Sequence, residues 1–240
     1  NVSYFNRTAR GTLHAGSALD LIFNGVPTGE TNVFNSNTFQ YSVLNKLNYN
    51  KTFNERHAVN ATVFMEYQDW YNENTTTGAQ GYVVNGPTTV GAGATPAANR
   101  IRGANSRRTL FSVAASADYI LDEKYILNAT VRRDGSSRFG ANTKYGTFWG
   151  ASAAWNISKE DFFSDLSETV DNLKFRINAG TSGNDQIGTN PAITTYGFGS
   201  YNGGTSSAPA NFGDPNLGWE QSFTYGAGIE FGLFNSRITG

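Results

Sequence analysis

The stretch Arg132-Arg133-Asp134-Gly135-Ser136-Ser137-Arg138-Phe139-Gly140 gathers a carboxylate, three guanidinium groups, two hydroxyls and two glycines into nine positions. Such a set could serve as a catalytic loop, an ion site or a turn. Histidine stands only at positions 14 and 57, with no His-x-x-x-His spacing and no accompanying carboxylates, so no metal site is expected. Cysteine is absent, which removes a thiolate ligand, a thiol nucleophile and a disulfide framework together. Neither a Gly-x-Ser-x-Gly elbow nor a phosphate-binding loop occurs. Residues 226–232, Gly-Ala-Gly-Ile-Glu-Phe-Gly, echo a dinucleotide loop. They lie inside a strand pattern with no helix after it, so small residues facing a polar interior are the better reading. With no Ser and His pair at hand, neither an enzyme nor a cofactor is expected.

The elements that must carry these residues are strands. Hydrophobic residues make up 38% of the chain, low for a globule with a full core, yet 14% is aromatic and Gly and Asn are abundant. Eighteen basic against nineteen acidic residues leave the chain near neutral, which argues against nucleic acid as a partner. No run approaches the ~18 apolar residues of a membrane helix, and the first ten residues do not have the layout of a signal peptide.

Period-two alternation recurs seven times. One face of the runs carries Phe39, Tyr41, Val43, Leu47 and Tyr49; Val59, Ala61, Val63, Met65 and Tyr67; Phe111, Val113, Ala115, Ala117 and Tyr119; and Tyr125, Leu127, Ala129 and Val131. It continues through Trp149, Ala151, Ala153, Trp155 and Ile157; Leu173, Phe175, Ile177 and Ala179; and Phe223, Tyr225, Ala227, Ile229, Phe231 and Leu233. The opposite face holds Lys46, Glu66, Asp118, Arg132, Lys174, Arg176 and Glu230 among Ser, Thr, Asn and Gly, with Phe64 as an exception. A dry core would have to desolvate those charges at high cost; a wide, wet lumen would not.

Alternation alone also suits a soluble sandwich, but two further patterns do not. Aromatics cluster at both ends of the apolar face: Tyr67, Phe111, Trp149 and Phe223 at one, Tyr49, Tyr119, Tyr125, Trp155 and Phe231 at the other. Two girdles about an aliphatic band match the two interfaces of a bilayer, and runs of about 10 residues at ~3.3 Å per residue, tilted ~45°, span about 23 Å. Connections also alternate in length: 50–57 short, 73–108 long, Asp-Glu-Lys at 122–124, 135–147 medium, 158–172, 183–221 long, and Asn-Ser-Arg at 235–237. That is the layout of an antiparallel up-and-down transmembrane β-barrel. The expectation is a partial one, about seven strands plus the start of an eighth in Ser-Arg-Ile-Thr-Gly, because seven strands leave two open edges and must be completed elsewhere. The link at 158–172 is expected to carry a Ser cap and a helical turn with Phe162, Phe163 and Leu166 on one side.

Residues 125–163, from Tyr-Ile-Leu-Asn-Ala-Thr-Val through the Arg-Arg-Asp-Gly-Ser-Ser-Arg-Phe-Gly stretch to Trp-Asn-Ile, resemble the barrel segment of SusC/RagA-type TonB-dependent outer-membrane transporters of Bacteroidetes. Two later stretches, 172–188 and 215–240, are similar in the same order. Trp149 stands where the family usually has Pro, and Gly218 where a bulkier residue precedes the Trp-Glu pair; both are expected at strand starts. The resemblance implies an outer-membrane location and a 22-stranded barrel around a plug. It further implies TonB as the periplasmic energiser, a SusD-like surface lipoprotein as lid, and oligosaccharides or peptides as cargo. Residues 1–240 would be one partial barrel domain, with plug and remaining strands outside it.

Within that frame Arg132 and Asp134 share the lumen phase, while Arg133 faces lipid and snorkels toward headgroup phosphates. Asp134, Gly135, Ser136 and Ser137 are expected to supply turn chemistry, the carboxylate capping backbone N–H groups and Gly135 taking a positive φ. Arg138 and Phe139 follow, Phe139 tucking the returning loop against the wall. Arginines at 100–108 could meet lipopolysaccharide phosphates or simply be solvated. Candidate substrate contacts are aromatics of the long loops: Trp70 and Tyr71, and Tyr196, Phe198 and Tyr201, set among Asn, Thr and Gly. The rival reading is a soluble or surface-anchored β-rich glycan-binding or adhesion module.

Overall fold

The computed structural model of the chain describes residues 1–15, 29–82, 86–96, 101–166, 169–188 and 191–240. Arg100, Ser167 and Glu168, and the side chain of His14, lie outside the described residues. All seven alternating runs are strands. The first two belong to β2 (Glu30–Phe53) and β3 (His57–Gln80), the third to β5 (Arg102–Leu121), and the others to β6 (Tyr125–Ser136), β7 (Tyr145–Asn156), β8 (Val170–Asn184) and β11 (Glu220–Leu233). The alternation does not reveal β1 (Val2–Ala15), the short β4 (Thr95–Pro96), or the hairpin of β9 (Thr195–Tyr201) and β10 (Gly204–Asn211). At the end of the chain, β12 (Ile238–Thr239) is the expected start of a further strand. Strand order follows the chain, β1-β2-β3-β5-β6-β7-β8-β11-β12, with β4 against β3.

The chain forms two compact units. One comprises Asn1, Val43–Tyr67 and Thr109–Gly240; the other comprises Val2–Ser42 and Gln68–Arg108. In the larger unit the antiparallel register confirms the two faces. Tyr119, Leu127, Ala153, Ile177 and Ala227 lie side by side across five strands, as do Leu121, Tyr125, Trp155, Phe175 and Ile229. Large apolar side chains in these rows stand exposed, Leu127 at 49% and Ile177 at 47%, so this surface is not a water-excluding core. The opposite rows are polar and mutually paired. Asn128 donates to Asp118 at 2.7 Å, Arg176 meets Glu230 at 3.0 Å, and Thr62 donates to Asn48 at 3.0 Å. Phe64, the exception on this face, has a partner there: the Arg132 guanidinium lies 5.8 Å from its ring centre. Gly226 and Gly228 also belong to this face; a Cβ on either would stand 3.1 Å from Asn178 Oδ1 or Arg176 Nε, so glycine leaves room for long polar neighbours.

The short links are tighter than their sequences suggest. Lys124 N–H donates to Leu121 O with Asp122 and Glu123 both at positive φ, a two-residue primed turn built without glycine; Phe53 to Arg56 does the same through Asn54 and Glu55. Arg56 grips Asp122 with two hydrogen bonds of 2.6 Å, joining the two turns. The link after β7 holds 3₁₀ turns at Ile157–Lys159 and Asp161–Leu166. Ser158, the first serine of the link, lies inside the first of these turns, whose cap position is held by Asn156 without a side-chain cap bond. Nor do the three apolar residues share one side, because Phe163 is 3% exposed whereas Phe162 is 66% exposed. A 3₁₀ turn advances about 120° per residue, so adjacent residues cannot face the same way.

In the smaller unit the strands run well past the roughly ten residues inferred from alternation, and the loop expected at 73–108 shrinks accordingly. Polar residues keep the ladder going there, as where Asn72 Nδ2 donates to Thr38 Oγ1 at 2.8 Å. Backbone pairing propagates from strands already in register and needs no apolar alternation to continue.

Candidate functional site

Arg132 to Ser136 are the last residues of β6, and the turn begins only at Ser137. Arg132 Nε reaches Asp134 Oδ1 at 2.6 Å, and its Nη2 donates to Ser112 Oγ at 3.1 Å, so both residues share the polar phase as expected. Asp134 does not cap backbone amides as its turn role required; its carboxylate is occupied by Arg132. Gly135 does not take a positive φ, since it lies within a regular antiparallel pair. Its smallness has another cause: a Cβ there would stand 2.7 Å from Cδ1 of the Tyr145 ring on the adjacent strand. On the same phase as Gly135, opposite to Arg132 and Asp134, Arg133 lies 5.3 Å from the centre of that same ring, a cation–π contact at an exposed position.

Beyond β6 the chain leaves the sheet into a clasp. Ser136 is fully buried and donates to Asp185 Oδ2 at 3.0 Å, while Arg138 Nη1 donates to the Asp185 carbonyl at 2.9 Å. Ser137 Oγ accepts the Thr109 amide at 2.9 Å. Phe139, 5% exposed, packs on Trp219 at 4.8 Å between ring centres, and Phe148 meets the same indole edge-on at 5.3 Å. Trp219 Nε1 donates to Lys144 O at 3.1 Å, so its polar atom is satisfied. Gly140 N–H donates to Leu217 O at 2.9 Å, and the Pro215 backbone lies where a Gly140 side chain would be. Thus stretches 132–140, 184–185 and 215–219, far apart in the chain, pack as one body. Asp185 and Trp219 are its centre, and alternation gave no sign of either.

Of the two departures from the family pattern, Trp149 sits inside β7, not at its start; its ring lies 6.3 Å from Phe223. Gly218 precedes β11, and a Cβ there would lie 3.1 Å from Thr143 Cβ, so a larger residue would need the Thr143 side chain to shift by a few tenths of an ångström.

The candidate contact aromatics divide between the units. In the smaller one, Trp70 is faced by the Arg108 guanidinium at 4.6 Å, and Tyr71 lies 6.3 Å from Phe39 beside the Asp69–Arg107 ion pair of 2.6 Å. Arg107 and Arg108 are therefore strand residues with partners. In the larger unit, Tyr196, Phe198 and Tyr201 belong to β9, which pairs only with β10 among the described residues. Its turn is Asn202-Gly203, both at positive φ, the residue pair that a two-residue hairpin favours. Tyr196, Phe198 and Tyr201 are exposed there.

At the tight-turn end of the larger unit, Glu160 collects three donors: Tyr125 Oη at 2.7 Å, Trp155 Nε1 at 2.9 Å and Lys124 Nζ at 3.0 Å. These hydrogen bonds, led by that of Tyr125, hold its carboxyl down at about 2.

Residues 1–240 match the family described as TonB dependent receptor-like, beta-barrel. A TonB-dependent receptor of Formosa agariphila is 34% identical over 233 residues, covering 90% of this chain and 21% of the relative. The TonB-dependent receptor SusC of Bacteroides thetaiotaomicron is 37% identical over 145 residues, 56% of this chain and 14% of SusC. Among solved structures, one of the RagAB peptide transporter superposes with a TM-score of 0.90 at 21% identity, covering 99% of this chain and 26% of that one. The chain thus spans about a fifth of the first relative, and the fold accounts for the exposed apolar rows as the outer wall of a barrel. By the match over its whole length, and by 34% identity to a receptor of that kind, this chain belongs to the TonB-dependent receptor β-barrel family.

Proposed function

We propose that residues 1–240 are part of the single barrel domain of an outer-membrane importer, whose plug and remaining strands lie in other segments of the protein. Energy would come from TonB through those other parts, and a SusD-like surface lipoprotein would close the outer mouth. The cargo would be oligosaccharides or peptides held in part by loop aromatics. The observation that carries this reading is the pair of faces in the larger unit: apolar side chains such as Leu127, Val131 and Ile177 half exposed on one, paired polar groups on the other. In water such an apolar surface is costly; in a bilayer it is the required one.

Tyr196, Phe198 and Tyr201 are the best-placed contact residues, because residues 186–213 carry no charged side chain. Exposed rings among Ser, Thr and Asn suit stacking and hydroxyl or amide bonding. The test is to express the full-length receptor and follow heat-modifiable gel mobility and co-purification with the adjacently encoded lipoprotein. A protein that stays in water without detergent would overturn the reading and favour the soluble module.

A further inference from the structure

The hairpin of β9 and β10 has two outer edges, and they differ. Its turn is Asn202-Gly203, so Tyr201 and Gly204 are the flanking pair. In a two-residue hairpin that pair exchanges backbone hydrogen bonds, and every second pair beyond it does the same. Gly199 with Ser206 and Gly197 with Ala208 are therefore bonded pairs, while Ser200, Phe198 and Tyr196 of β9, and Thr205, Ser207 and Pro209 of β10, turn their backbone groups outward. On β10 that edge is interrupted: Pro209 has no N–H, and the register shifts between Pro209 and Asn211.

The β9 edge is continuous. Thr195–Tyr201 contains no proline and no charged side chain, the usual guards against strand addition. Gly197 and Gly199 alternate with the Tyr196 and Phe198 rings, so one flank is aromatic and the other bare; a Cβ on Gly197 would meet nothing closer than 3.7 Å. Among the described residues β9 pairs only with β10. The hairpin lies between Asn184 of β8 and Glu220 of β11, at the end of the strands away from the tight Asp122-Glu123 turn.

We propose that the outer edge of β9 is a cargo-binding edge that takes an extended peptide as an added strand, so that the imported class is peptide rather than oligosaccharide. The reading rests on the importer function above and narrows it. Outward amides and carbonyls recur about every 7 Å along a strand, a repeat that another peptide backbone matches and sugar hydroxyls do not. Rings on one flank and bare glycines on the other admit varied side chains at alternate cargo positions. An edge of Tyr196, Phe198 and Ser200 is far short of the roughly 1,000 Å² that lasting protein partners bury, so it suits a ligand released in each transport cycle.

The test uses the full-length receptor purified in detergent with its lipoprotein and exposed to a protease digest of serum albumin and to a pool of maltooligosaccharides. The retained fraction is expected to be peptides. Ser200→Pro removes an outward N–H and leaves the pairing with β10; it is expected to weaken peptide retention about tenfold, with Ser200→Ala unchanged. One retained peptide, resynthesised with single backbone N-methyl groups, should lose binding at alternate positions, a pattern that a structural change in the loop would not give. Retention of oligosaccharides in place of peptides, retention of neither pool, equal retention by Ser200→Pro, or uniform tolerance of N-methylation overturns the edge site and leaves the importer reading standing. Loss of the lipoprotein from Ser200→Pro with peptide retention kept would make the edge a protein contact and overturns the site as well. A receptor that stays in water without detergent removes the importer reading itself.

Discussion

Arg132 and Asp134, two residues apart on the polar face of β6, are joined at 2.6 Å by a guanidinium that also holds Ser112 and lies over Phe64. Asp134 is buried while Arg132 keeps 40% of its side chain exposed, so the pair forms the boundary between the sheet and the loop clasp. Losing the carboxylate leaves a half-buried cation and two hydrogen bonds unmade. Asp134→Ala should destabilise the barrel by about 1–3 kcal/mol, less than the cost for a fully buried pair because Arg132 can turn to water. The measurement is the heat-modifiable fraction of full-length receptor in the outer membrane, with Asp134→Asn expected to lose less. Normal assembly combined with lost cargo binding would make this a ligand site instead.

Gly135 beneath Tyr145 gives a second expectation. Gly135→Val should cost about 1–3 kcal/mol by overpacking against the ring. Tyr145→Ala should recover much of that loss in a double-mutant cycle read from denaturant-induced unfolding in detergent. Additive effects would show that backbone freedom, not the ring, is why glycine stands there.

Truncating the hairpin aromatics should separate binding from folding. Tyr196→Ala and Phe198→Ala remove exposed rings from a two-stranded element outside the main sheet, so assembly should be unchanged. If they stack on cargo, affinity for it should fall roughly tenfold per ring, about 1–2 kcal/mol each. Binding of the identified cargo by calorimetry is the check, and Trp70→Ala and Tyr71→Ala form an independent pair for the other unit.

The Glu160 carboxyl predicts a pH response at the turn end. Its folded value, about 2, lies below its ordinary 4.5, so its contribution is complete above pH 4.5 and is lost as pH falls toward 2. The Phe163 amide, which donates to Glu160 O at 3.0 Å, should exchange slowly at pH 5 and faster below about 3 once intrinsic exchange rates are corrected for. Glu160→Gln should flatten that profile, whereas a profile identical in both proteins would place the control elsewhere.

Period-two alternation in runs such as 125–131 and 223–233, with charges confined to one phase, determined seven of the strands, their two faces and which of those faces is apolar. Each of these follows from a single chain's side-chain geometry and the solvent each face must meet. Family membership was legible because stretches 132–140, 172–188 and 215–240 occur in one order. What they do for one another was not legible. Asp185 receiving Ser136 and Arg138, Trp219 in contact with Phe139 and Phe148, and Glu160 bonded to Tyr125 and Trp155 join residues five to eighty positions apart, and no local pattern encodes such a meeting. The same limit explains Gly135, read as a turn glycine from its neighbours Asp134 and Ser136 but required by a ring on the adjacent strand. Local sequence decides which way a side chain points; only the packed structure decides what it finds there.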